Sequence, residues 1–98
     1  MPILDLDLVK SAIREILQSP QGVVFPTRHC KERMEERNVL MDDILHLLFW
    51  GTVELGQESG DAKRNVFRVS GADIEGEPLV IVVEISQEEN RINCISVF

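Results

Sequence analysis

The sequence predicts an α+β fold, with two or three helices at the N-terminal end packed on a four-stranded antiparallel sheet. Three observations carry that expectation. Apolar residues recur at three- and four-residue steps up to Gly51, each such stretch opening on a helix-start signal and closing on a helix-stop signal. Beyond Gly51 the period changes to simple alternation. The alternating runs are separated by short clusters of turn-forming residues, each brief enough for a hairpin.

In chain order, Asp5 or Asp7 can cap a first helix whose positions Leu8, Ala12, Ile13, Ile16 and Leu17 share one side, and Ser19-Pro20-Gln21-Gly22 ends it. Val23-Val24-Phe25 is a short apolar piece. Pro26 then sets a dihedral that suits the start of a helix, and Thr27 is the N-cap of the second. That helix runs to about Arg37, where Asn38 can take the left-handed conformation that stops it. Asp42-Asp43 place negative charge in the first turn of a third helix, which carries Ile44, Leu45, Leu47, Leu48 and Trp50 and ends at Gly51. Strands are expected at Thr52 to Gln57, Asn65 to Ser70, Leu79 to Ile85 and Arg91 to Phe98. The turns between them fall at Glu58-Ser59-Gly60-Asp61, Gly71 to Gly76 and Gln87 to Asn90. An antiparallel meander is the economical topology. Leu79 to Ile85 is nearly all apolar and belongs at its centre, with the first strand and Val23 to Phe25 nearer an edge.

Ninety-eight residues with 44% hydrophobic content fit one domain, 1–98, with a real core. No apolar run is long enough to cross a bilayer and the N-terminus lacks a secretory pattern, so a cytoplasmic protein is expected, with no membrane partner. In that compartment Cys30 and Cys94 are read as two reduced, buried thiols. The net charge of −7 repels nucleic acid overall. The charge is unevenly spread, however, because Arg28, His29, Lys31, Arg33 and Arg37 gather on one helix while Glu84, Glu88 and Glu89 lie near the end. A local basic ridge can therefore coexist with an acidic remainder that favours a basic partner.

That ridge is the main candidate site. At about 100° per residue, His29, Arg33 and Arg37 occupy an arc of roughly 80°, a row of donors suited to phosphate or carboxylate oxygens. Arg37 also projects only about 20° from Cys30 on the core-facing line. Two roles therefore stand open for it: ligand binding, or a covered position bonded to loop carbonyls or to Glu84. Arg33 has an oppositely charged neighbour three residues on, Glu36. Arg64 and Arg68 alternate with Val66 on one strand face, opposite Phe67 and Val69, where they can hold phosphate or simply keep the face soluble. His29, Cys30, His46 and Cys94 lack the paired spacings of a zinc site, and no glycine pattern matches a phosphate loop or dinucleotide fingerprint, so no metal or cofactor is expected.

Thr27, His29, Arg33, Arg37, Val39, Asp42, Ile44, Leu48, Gly51, Arg68, Leu79, Val82, Val83, Ile95 and Val97 together form an ordered pattern. It resembles the small prokaryotic family known as domain of unknown function 4258, over roughly Val23 to Phe98, leaving only the helix within 1–20 outside. That family looks like a relative of the RelE-like and MqsR-like toxins of bacterial toxin-antitoxin pairs. The resemblance implies a toxin-type α+β sandwich, a cognate antitoxin as partner, and binding of mRNA or the ribosome with metal-independent RNA cleavage. Under it, His29 acts as acid or base while Arg33 and Arg68, with Arg37 and Arg64 as further ligand-binding residues, hold the phosphate. Ser96-Val97-Phe98 stands where the family's usual Thr-Val-aromatic ending falls, and the chain has no tyrosine. The alternative from a different class is a non-catalytic module that binds a basic partner, or a second copy of itself, through its acidic surface or a sheet edge.

Overall fold

The computed structural model describes residues 5–55 and 66–98. Helix α1 (Leu6–Gln18), strand β1 (Val23–Pro26), helices α2 (Arg28–Arg37) and α3 (Met41–Trp50), and strands β2 (Thr52–Leu55), β3 (Val66–Ala72), β4 (Pro78–Ser86) and β5 (Arg91–Val97) follow one another along the chain. The Glu58 to Asp61 turn lies outside the described residues.

The caps explain the helix boundaries. Asp5 accepts from the amides of Asp7 and Leu8, and Thr27 accepts from the Cys30 amide, so each helix begins where a side-chain oxygen satisfies its free donors. Asn38 closes α2 in the left-handed region at φ 57°. Helix α3 starts on Leu40, which has no acceptor to offer. Asp43 instead reaches back and accepts from the Leu40 amide itself at 2.9 Å, and its other oxygen accepts from the Ile74 amide at 3.1 Å. One buried carboxylate thereby pins the start of α3 to the β3–β4 turn.

The sheet has five strands in the order β1-β5-β4-β3-β2. This corrects the four-stranded antiparallel expectation: Val23–Pro26 is a strand, paired in parallel with β5, and the sheet is mixed. Four residues are too few to display a period, and their partner lies almost seventy residues away, so alternation had nothing to register. The other pairings are antiparallel, and β4 is central as expected.

Helices α1 and α3 cover one face of the sheet. Ile13 and Ile16 of α1 and Ile44, Leu47 and Leu48 of α3 pack on Val53, Phe67, Val69, Leu79, Ile81, Val83, Ile92 and Val97. Gly51 is needed where α3 meets β2, since a Cβ there would stand 2.6 Å from the Leu47 carbonyl oxygen and 2.7 Å from Val69 Cγ1. The C-terminal carbonyls of α3 are held by α1: Arg14 donates to Phe49 O and Lys10 donates to Gly51 O. Burial is the main cause that lowers the Lys10 ammonium pKa, with Arg14 nearby adding to it.

Helix α2 lies elsewhere. β1 stops opposite Cys94, and the chain then turns into α2, which continues along the β5 edge that β1 leaves uncovered. The Thr27 amide donates to Cys94 O at 2.9 Å, the Thr27 hydroxyl to Ile95 O at 3.2 Å and Arg33 Nε to Val97 O at 3.3 Å. One backbone amide and two side chains of α2 and its cap thus supply β5 with donors that a neighbouring strand would otherwise give, a way of closing an exposed edge. Of the three helices expected on one face, two pack there and one caps the edge.

Candidate functional site

The second face of the sheet carries no helix among the described residues, and a bulge decides what it presents. Between β4 and β5 the register runs Val82↔Ser96 and then Val83↔Cys94, so Ile95 is left without a partner. Side chains two apart on a strand ordinarily share a face. The extra residue breaks that rule, keeping Cys94 in the core while sending Ser96 to the opposite face. Ser96 joins the row Glu54, Arg68, Val82, and Phe98 follows it on the same side.

Helix α2 brings its ridge to this spot. His29 Nε2 lies 3.3 Å from Ser96 Oγ, a hydrogen bond whose direction the tautomer sets. One turn on, Arg33 has its guanidinium carbon 5.5 Å from the Phe98 ring centroid, while Arg68 from the sheet reaches the same ring at 5.9 Å. Arg33 also meets Glu36 at 3.7 Å, the intrahelical pair anticipated from spacing. His29, Arg33 and Arg68 therefore surround Ser96 and Phe98, and three of the five proposed residues meet. Arg37 is exposed rather than covered on the Cys30–Met34 line, because α2 ends there and Asn38 turns the chain away. Arg64 lies outside the described residues.

A second ring with cations around it lies on the same face, unannounced by the sequence. Phe25 of β1 sits beside Asn93 on this same face, with the Arg91 guanidinium 4.7 Å and the Lys31 ammonium 5.6 Å from its centroid. Arg91 Nε donates to Asn93 Oδ1 at 2.7 Å. Only recognition of β1 as a strand paired with β5 places these residues together, and the sequence offers no signal for that pairing.

Cys30 and Cys94 are both buried with free thiols, on the core side of the same junction. Burial raises both thiol pKa values, and for Cys94 the proximity of Cys30 adds to the effect. No group of three or more His, Cys, Asp or Glu residues that could hold a metal ion occurs among the described residues. No helix there is long and apolar enough to cross a membrane.

These features define a small α+β domain with a helix-capped sheet edge and a cationic, aromatic second face. The chain belongs to the family described as Domain of unknown function (DUF4258), whose model matches residues 27–97. The match begins at Thr27, the cap of α2, and so takes in the His29 and Arg33 ridge and the whole β2–β5 sheet. Comparison with curated proteins and with solved structures gives no match to either.

Proposed function

We propose that this chain is a toxin-like component of a prokaryotic toxin-antitoxin pair, whose second sheet face binds RNA at His29, Arg33 and Arg68. The observation that carries the reading is the convergence of two guanidinium groups, one from a helix and one from the sheet, on the single ring of Phe98, beside a histidine bonded to Ser96. Guanidinium groups match phosphate oxygens, and an aromatic ring offers a stacking surface to an unpaired base. The kinship with RelE-like and MqsR-like toxins that the family resemblance implies favours the same assignment.

The chemistry open to such a site is cleavage without metal. His29 takes the proton of a ribose 2′-hydroxyl, the 2′-oxygen attacks the adjacent phosphorus, and the 5′-oxygen departs with a proton from solvent, leaving a 2′,3′-cyclic phosphate. Arg33 and Arg68 balance the charge that builds on the phosphoryl oxygens. The chain's second histidine, His46, lies on α3, away from this face, so His29 is the histidine open to this role.

Expression of the wild-type chain should arrest growth and cut RNA, and His29→Ala and Arg68→Ala should lose both effects at unchanged melting temperature. Normal growth and intact RNA at full wild-type expression would contradict the proposal. Silence of those variants, with partner release on charge reversal of exposed Glu88 and Glu89, would instead indicate the interaction module suggested by the net charge of −7.

A further inference from the structure

The geometry points to a second nucleotide position on the same face, formed by Phe25, Arg91 and Lys31, so that single-stranded RNA runs along β5 from the Phe98 ring to the Phe25 ring. This rests on the RNA-binding reading above and extends it to residues outside the candidate site. Two features of the platform stand on their own. Its ring is 42% exposed and carries two cations, at 4.7 and 5.6 Å. Neither Arg91 nor Lys31 forms an ion pair among the described residues, although acidic side chains outnumber basic ones by 17 to 10 in the chain. Arg91 is held instead by the neutral amide of Asn93. Its charge is thus fixed in place and left for an outside anion.

Spacing supports one continuous ligand. Phe25 stands beside Asn93, and Phe98 lies five residues further on, just past the end of β5, of which the bulge at Ile95 absorbs one. The two rings are therefore separated by about 13 Å along the strand. Both are on the same face, with His29 and Ser96 between them. A ring with guanidinium or ammonium beside it, occurring twice, matches the repeating base and phosphate of a single strand. An acidic peptide would satisfy the cations but has no flat surface for the two rings. Glu84 lies next to Asn93 on this face and opposes a polyanion there.

The test is fluorescence anisotropy of the full chain with labelled hexauridylate and with labelled diuridylate. Phe25→Leu keeps the apolar bulk and removes the stacking ring. It should weaken hexamer binding roughly tenfold while leaving the dimer unchanged. Arg91→Gln should act in the same direction, and Glu84→Gln should tighten the hexamer. Melting curves of each variant identify any that fails to fold, and Arg91→Gln then carries the test if Phe25→Leu does. Unchanged hexamer affinity in both Phe25→Leu and Arg91→Gln, with Arg68→Ala weakened, would overturn the second position and leave the first standing. No hexamer binding by the wild type would overturn both. Displacement of bound hexamer by polyglutamate at equal charge concentration would assign the face to an acidic peptide and overturn the nucleotide path.

Discussion

Ser96 occupies its place because Ile95 is an extra residue. Without the bulge, Ser96 would lie on the core face with Cys94, His29 would have no sheet partner, and Phe98 would point into the helices. The neighbouring core position has its own consequence. The Cys94 thiol pKa is raised above 9.0, chiefly by burial. Below pH 9 the thiol is protonated in folded and unfolded chains alike, and its ionisation does not affect stability. Above pH 9 the unfolded thiol ionises while the folded one stays neutral, so the unfolded state gains and stability falls, by up to about 1.4 kcal/mol per pH unit. The melting temperature of the wild type should therefore drop more steeply between pH 9 and 10 than that of Cys94→Ala, whatever the variant's overall loss of stability. Parallel slopes would mean that the thiol ionises freely in the folded protein.

At the scale of elements, α2 does the work of a strand, and Thr27 is its anchor. That residue caps the helix and donates its hydroxyl to the Ile95 carbonyl, so Thr27→Ala removes two bonds at one stroke. A loss of about 1–2 kcal/mol is expected. For a domain of this size, that corresponds to a fall of roughly 5–15 °C in melting temperature. Calorimetry would measure it, and a fall of under 2 °C would show that the edge is held by other bonds. Thr27 was legible in the sequence because capping is local, as were Asn38, Asp5 and the centrality of β4. The docking of α2 on the β5 edge was not. Amphipathic spacing tells which side of a helix is apolar, but α2 buries only Cys30, and what it turns toward the sheet includes an arginine and a histidine whose partners are a carbonyl and a hydroxyl. Lys10 and Arg14 were opaque for a similar reason: they look like a solvated face until α3 places its last carbonyls beside them. Of the two roles open to Arg37, the covered one does not hold: it is the last residue of α2 and exposed, because helical projection cannot tell that the chain turns away at Asn38.

At the scale of the molecule, the fold divides its labour between two faces. Helices α1 and α3 close the first around an aliphatic core, and the second keeps its rings, guanidinium groups and one histidine accessible. An acidic chain can bind a polyanion only if its cations are concentrated, and the sheet concentrates them: Arg68 comes from β3, Arg91 from β5, and Arg33 and Lys31 from the edge helix. Glu54 and Glu84 share that face and moderate it. The measurement that tests the account most directly is titration of isotopically labelled protein with a short unlabelled single-stranded RNA, following the backbone amide and histidine ring signals by NMR. The account predicts saturable shifts at His29, Arg68, Ser96 and Phe98, with α1 and α3 unaffected. Spectra unchanged at millimolar RNA, or shifts confined to α1 and the Trp50 end of α3, would contradict it.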